Sequence, residues 1–316
     1  MSINTWIFIR TLQKHPFFGL SISSFRYFCE TYKKQLRGMS DDSLRWKAFE
    51  TLFSQHFPAQ YAQVMSSQDI LTWVSQDYER MMAAGVHACH YLDSDYPVAF
   101  DGMDDPPWTF SYLGQPRWNQ NIRVGLVGSR EVHSATIEIF RAVLAPWISS
   151  INCAVVSGGA RGVDLLSHRM ALANHKSTYA WMPSGLNCIY PMQFRSWVDP
   201  ICEQGAVMSE FDFSQEIRRH HFQSRNRLIS AFSDVLIIPQ ASKKSGTMMT
   251  AHAALGYGKP LWVFPGHCVQ DFMSGNLELL RLGASLVAGV DDLSNLYEGE
   301  FKGASERITA YSDFLN

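Results

Sequence analysis

The chain lacks a large net charge, a cysteine framework and a long apolar run, and each absence removes a class of protein. Its 316 residues carry 27 Lys+Arg against 29 Asp+Glu, a formal net charge of −2. With no global basic field, any nucleic-acid binding must come from a local patch. The six cysteines, Cys29, Cys89, Cys153, Cys188, Cys202 and Cys268, are scattered with no CxxC pair. Several sit in apolar strand-like runs, where cysteine behaves as a small buried hydrophobe. This pattern predicts a reducing compartment rather than a disulfide scaffold. No stretch approaches the ~20 apolar residues of a membrane span. Ahead of Arg10 only TWIFI is apolar, too short for the core of a signal peptide. The expectation is a soluble cytoplasmic protein with no membrane partner.

The common chemical motifs are missing as well. Gly258-Lys259 is followed by proline and lacks the first glycine of a GxxxxGK[ST] phosphate loop. There is no GxSxG elbow, no HExxH and no clustered metal-ligand spacing. His168 and His175 are two helical turns apart with Asp164 one turn before, which reads as a satisfied helix surface. Asp164 is expected to cap that helix or orient Arg161. His220-His221 has no carboxylate or cysteine at useful spacing. No catalytic residue, metal or cofactor is assigned.

What is present has regular order. Hydrophobic residues make up 46% and charged residues 18%, enough apolar mass for a sizeable core. Residues 1–95 are rich in aromatics, Gln and Ser, with Leu52, Phe53, Phe57, Val64, Ile70, Leu71, Val74, Tyr78, Met81 and Met82 at helical spacing. They predict a small helical N-terminal domain of short helices broken at Pro58 and Gly85. A Pro/Gly/Asp-rich connector with a short strand covers 96–122. From 123 to 290 strand-like runs alternate with helix-length segments: RVGLVG (123–128), CAVVSG (153–158), TYAWMP (178–183), AVMSE (206–210), DVLIIP (234–239), PLWVFPG (260–266) and, more weakly, ASLVA (284–288). The first helix, 134–150, places Ile137, Phe140, Leu144, Trp147 and Ile148 on one face. Alternation of this kind predicts an α/β fold, a doubly wound and mainly parallel sheet covered on both sides. Residues 291–316 read as a tail.

Ligands of open parallel sheets bind at the carboxyl ends of the strands. Those ends carry Gly128-Ser129-Arg130, then Ser157-Gly158-Gly159-Ala160-Arg161-Gly162, Pro183-Ser184-Gly185 and Ser209-Glu210. Ser245-Gly246-Thr247, behind Lys243-Lys244, opens a further helix. Glycines let backbone N–H groups approach an anion, and a helix N-terminus adds positive partial charge. Arg130 and Arg161 supply forked donors that match phosphate. Tight turns and helix caps use the same residues, but arginines at two strand ends and an SGT turn at a third favour anion binding. The glycines are spaced GGxxG rather than GxGxxG, so the fold is Rossmann-like without the dinucleotide fingerprint.

The densest cationic stretch is EIRRHHFQSRNRLIS (216–230), with Arg218, Arg219, Arg225 and Arg227 around Phe222 and Asn226. Arginines interleaved with an aromatic suit single-stranded nucleic acid: guanidinium groups track phosphates while the ring stacks a base, worth ~1–3 kcal/mol per base. The alternative for the same residues is a solvated charged loop anchored by Phe222.

Taken together, YP (96–97), PP (106–107), Gly114, VGSR (127–130), SGGARGVDLLSHRMAL (157–172), SGLNCIYP (184–191), SE (209–210), FQSRNRLIS (222–230), SGTMMTAHAAL (245–255), PLWVFPG (260–266) and GNLELLRLGASLV (275–287) resemble the DNA-processing protein A (DprA/Smf) family over about residues 95–290. The resemblance implies an extended Rossmann-like fold that binds single-stranded DNA and forms a homodimer. It also implies protection of incoming strands in natural transformation, help in loading a RecA-type recombinase, and no enzymatic reaction. By motif, Arg130, Arg161, Phe222, Arg225, Asn226 and Arg227 are implied DNA-pocket residues. Gly128, Ser129, Ser157, Gly158, Gly159, Ser245, Gly246 and Thr247 line the turns that hold phosphate. Four departures accompany the match. Gln223 replaces the proline of FPxRNR, which predicts a less rigid loop. Gln240 stands where the family often has Glu, removing a charge near the site. The N-terminal residues carry no GxG helix-hairpin-helix signature, and the chain stops at Asn316, too soon for the C-terminal winged helix of many members. The competing readings are a sensor of a small nucleotide in the same pocket and a hydrolase like the LOG-type phosphoribohydrolases. Against the latter, SGTMMTA (245–251) lacks both the double glycine and the glutamate of PGGxGTxxE.

Overall fold

Five helices form in the first part of the chain because apolar residues recur there every three or four positions. The computed structural model describes residues 4–14, 16–39, 41–266 and 269–302, so Cys268 and the end of the tail lie outside the described residues. The helices are α1 (Thr5–Lys14), α2 (Ile22–Arg37), α3 (Asp42–His56), α4 (Pro58–Ser66) and α5 (Gln68–Ala83). Pro58 stands at the first helical position of α4, where its missing N–H costs nothing. Gly85 follows α5 at φ +72°, a left-handed conformation. Strands β1 (His87–His90) and β2 (Thr109–Gly114) come next, followed by β3 (Ile122–Leu126), α6 (Ser134–Ile139), α7 (Ala145–Ser150), β4 (Cys153–Gly158) and α8 (Val163–Ala173). Then follow β5 (Ser177–Trp181), α9 (Arg195–Gln204), β6 (Ala206–Ser209), α10 (His221–Phe232), β7 (Val235–Ile238), α11 (Gly246–Gly256), β8 (Leu261–Val263), α12 (Ser274–Arg281), β9 (Ser285–Leu286) and α13 (Val290–Tyr297). Every strand-like run of the sequence is a strand, the weak one at 284–288 included. Among the described residues no helix is long and apolar enough to cross a membrane.

The chain divides into two compact units, each discontinuous in sequence: residues 1–120 with 179–232, and 121–178 with 233–316. In the first unit β2 pairs antiparallel with both β1 and β6, and β6 runs parallel to β5. Its helical part is held by rings. Phe8 meets Phe49 and Phe53 edge-on at 5.7 and 5.1 Å, and Phe28 meets Phe53 at 5.6 Å, all fully or almost fully buried. Phe53, Val64, Leu71, Val74 and Met81 are buried as the spacing predicts. Met82 is 37% exposed, because the position after Met81 turns about 100° round the helix. Helix α1 is tied to the segment after β6: Arg10 donates to Asp212 at 2.6 Å and Lys14 pairs with the other oxygen of the same carboxylate. Burial pushes the Asp212 carboxyl up, but the two cations outweigh it and hold it below its ordinary value.

In the second unit β3 is flanked by β4 and β7, β7 by β8 and β8 by β9, and all four pairings are parallel. Strand β3 is therefore the place where strand order reverses, the switch point at which such sheets bind ligands. Val124, Leu126, Val155, Val235, Ile237 and Trp262 form its core with Leu144, Trp147 and Ile148. Ile137 does not join them and is 48% exposed. Residues 140–144 form a π-helical turn, and the extra residue in that turn rotates the preceding helix so that Thr136 faces inward instead.

Candidate nucleic-acid interface

In the second unit the turns after β4, β3 and β7 leave adjacent strands at the same edge, and their backbones are cross-tied. The carbonyl of Ser129 accepts from Val163 N–H at 3.0 Å, joining the VGSR turn to the start of α8. The N–H of Ser129 donates to the Gln240 carbonyl at 2.8 Å, joining it to the segment after β7. Gly162 makes this approach possible: it sits at φ +80°, and a Cβ there would lie 2.3 Å from the Ser129 oxygen and 2.6 Å from that of Arg130. Arg130 and Arg161 are exposed, Gly128 and Ser129 half-buried, and Ser157, Gly158 and Gly159 buried. Gly162 precedes α8 and Ser245 precedes α11, and neither caps its helix with a side chain. Gly246 opens to free space, whereas Thr247 is buried. Helix starts without side-chain caps and two exposed arginines thus lie in turns that leave one sheet edge, the features an oxyanion site uses.

Three buried side chains, Gln240, His168 and Asn276, tie this edge together. Gln240 is 1% exposed. Its Oε1 accepts from His133 N–H at 3.1 Å and from the Thr136 hydroxyl at 2.7 Å, while its Nε2 donates to the Glu131 carbonyl at 2.8 Å. The residue is a buried strut between the turn after β3 and the segment after β7. Gln240→Leu leaves those groups without their partner and should destabilise the protein by about 1–3 kcal/mol in urea unfolding; an unchanged midpoint contradicts the assignment. His168 is fully buried, with Nε2 at 2.8 Å from the Gly158 carbonyl and Nδ1 at 2.7 Å from the Thr178 hydroxyl. It is no helix-surface residue, and it shares no face with His175, which lies beyond the end of α8 at φ +53°. Asn276, also buried, accepts from Ala241 N–H at 2.6 Å and donates to the carbonyls of Ile238 and Phe264. Asp164 lies past the cap position and accepts from Ala160 N–H at 3.3 Å, bracing the GGAR turn.

The remaining predicted residues lie in the first unit, on one element. FQSRNRLIS is not a loop but most of α10, where Gln223 occupies the first turn and donates its N–H to the His220 carbonyl at 3.1 Å. Phe222 is half-buried and meets Tyr190 edge-on at 6.1 Å. Asn226 is half-buried, and Arg225 is only 4% exposed. Arg227 grips both oxygens of Glu210 at 2.8 and 2.7 Å and pairs with Asp105 at 3.2 Å, so its charge is already balanced. The Ser184-Gly185 turn is closed over by the segment after β6: Gly185 donates to the Gln215 carbonyl, and a Cβ on it would meet the Asp212 carbonyl at 2.1 Å. His221 is buried and contacts the Pro183 carbonyl at 3.1 Å; burial lowers its pKa below the imidazole norm.

Among the described residues two groups have metal-ligand reach, Asp42/His90/Asp93 and Cys89/Asp93/Asp95. Both depend on Asp93, whose carboxylate already accepts from Arg45 at 2.6 Å. Burial, helped by Arg45, lowers the His90 pKa to about 3, so the ring is neutral beside that ion pair. These residues form a structural tie.

The geometry can be set beside known proteins. The family model of DNA recombination-mediator protein A matches residues 87–298. A DprA-type DNA processing protein from Mycobacterium tuberculosis is 30% identical over 257 residues, which are 77% of this chain and 66% of that relative. The chain thus spans just under two thirds of the length of that relative. DNA processing protein DprA of Bacillus subtilis is 26% identical over 247 residues, 74% of this chain and 78% of the relative. Among solved structures, DNA processing protein A of Streptococcus pneumoniae superposes with a TM-score of 0.74 at 23% identity, covering 93% of this chain and 98% of that one, a likeness of fold. DNA processing protein A of Helicobacter pylori, solved for its single-stranded DNA binding mode, gives a TM-score of 0.60 at 31% identity over 67% of this chain and 94% of its own. With well over half of its length matched by the family model, the chain belongs to the DNA recombination-mediator protein A family.

Proposed function

We propose that this protein binds single-stranded DNA in the cytoplasm, shields incoming strands during transformation and promotes loading of a RecA-type recombinase, acting as a homodimer without catalysing a reaction of its own. The observation that carries the reading is the cross-tied edge of the second unit, where uncapped helix starts at Gly162 and Ser245 stand with exposed Arg130 and Arg161. Such a site contacts phosphate oxygens without reading a base, as a backbone-binding protein requires. Its exposed glycine at Gly246 leaves space for a chain of phosphates to pass. The single-stranded DNA binding mode described for the Helicobacter pylori relative supports the same reading.

The test is fluorescence anisotropy of a labelled thymidine oligomer against a duplex of equal length at two salt concentrations. Binding should prefer the single strand, strengthen with oligomer length and weaken steeply with salt, because phosphate contact releases counterions. Tight binding of a mononucleotide with no affinity for oligomers would replace the proposal with a nucleotide sensor or a nucleotide-processing enzyme. Light scattering at micromolar concentration should give the dimer mass, and a monomer would remove the homodimer. A strand-exchange assay with a RecA-type recombinase on coated single strands tests loading.

A further inference from the structure

We infer a second nucleotide-binding cleft in the first unit, between α5 and the segment leading into α10, that takes one base and its phosphate from a single strand; the inference rests on the single-stranded DNA reading above. The cleft has a volume of about 560 Å³, within the range of small-ligand pockets. Its apolar wall is Trp73, which is 42% exposed. Trp147, Trp181 and Trp262 are by contrast fully buried, so the exposure of Trp73 is not the habit of tryptophan in this fold. The Lys14 ammonium sits 4.5 Å from the centre of the indole ring, fixing the side chain by a cation–π contact. An exposed, fixed indole in a polar cleft is the platform on which bases of any sequence stack.

The charges of the cleft are arranged for an anion despite its acids. Asp77 is spent on structure: one oxygen accepts from Phe213 N–H at 3.0 Å and the other from Arg80 at 3.1 Å. Asp212 is spent on Arg10 and Lys14. Arg80 keeps a side chain 55% exposed, with donors beyond its single bond to Asp77. Arg218 is exposed and has no acid partner among the described residues. It lies three residues before α10, the helix that carries Phe222, so the cleft adjoins that helix along the chain within the unit. Glu216 is the one lining acid with no cation partner among the described residues, and it opposes a phosphate.

Two labelled oligomers of equal length separate base from phosphate: thymidine, and the same backbone with abasic sugars. Trp73→Ala should weaken thymidine binding about tenfold, within the worth of one stacked base, and leave the abasic strand unchanged. Arg218→Ala should weaken both and flatten the salt slope by about one phosphate. Glu216→Gln should bind both more tightly, and it decides the matter together with Arg218→Ala if thermal melting shows that the tryptophan variant is unfolded. If these variants match the wild type while Arg161→Ala loses binding, the cleft is no subsite and the function stands. If the wild type binds neither oligomer, the function and the cleft fall together.

Discussion

Gly162→Val should abolish single-stranded DNA binding and lower stability by at least about 1–3 kcal/mol, the cost of holding a β-branched residue in a left-handed conformation. The backbone at Gly162 lies at φ +80°, and the new Cβ would press on the carbonyl oxygens of Ser129 at 2.3 Å and Arg130 at 2.6 Å. Both are main-chain atoms, so no rotamer change relieves the contact. The bond from Val163 N–H to Ser129 must open, and with it the alignment of the VGSR turn with the start of α8. Gly246→Ala is the matched contrast. Its Cβ meets open space at the first position of α11, so folding is kept or improved by up to about 1 kcal/mol. Yet that space is where a phosphate should approach the N–H groups, so this variant should bind DNA more weakly while melting no lower. If Gly162→Val keeps wild-type affinity, or if Gly246→Ala binds as well as the parent, the glycines serve the turn alone.

The second large effect is expected from Arg130→Ala combined with Arg161→Ala. Both side chains are exposed at the edge formed by β3 and β4 and neither belongs to the core, so thermal melting of the double variant is read beside its affinity. A charge-assisted hydrogen bond is worth about 1.5–3 kcal/mol, so losing two should cost on the order of a hundredfold or more in affinity. The slope of log affinity against log salt should fall by about two phosphates. Arg227→Ala should differ in kind: its guanidinium is occupied by Glu210 and Asp105, so its loss reaches stability before the salt slope. Equal slopes for the double variant and the parent would show that these arginines touch no phosphate.

Most of the sheet is legible in the sequence because parallel strands, buried on both faces, read as unbroken apolar runs such as VLII in β7 and AVV in β4. Strand β1 is not legible: HACH offers two histidines and no alternation, and it becomes a strand only by pairing with β2. Helix α10 hides for a related reason. Two of its inward positions are His221 and Arg225, one turn apart, so its buried face shows no apolar stripe until Leu228. The π-helical turn that exposes Ile137 leaves no mark in a 3.6-residue pattern. At the site, the turns themselves are local chemistry, glycine and serine where the backbone must bend or come close, and they stand out. What joins them is long-range. Gln240 reaches back 107 residues to His133, and Asn276 reaches 38 back to Ile238, pairings that no short motif announces.

The central claim, that backbone N–H groups at one sheet edge hold the phosphates of a single strand, is tested most directly by hydrogen–deuterium exchange with and without a thymidine oligomer. Exchange should slow in peptides covering 128–131, 158–164 and 244–248, where exposed turns and helix starts would become donors to phosphate. If a bound oligomer leaves all three segments exchanging as in the free protein, the strand lies elsewhere and the claim is wrong.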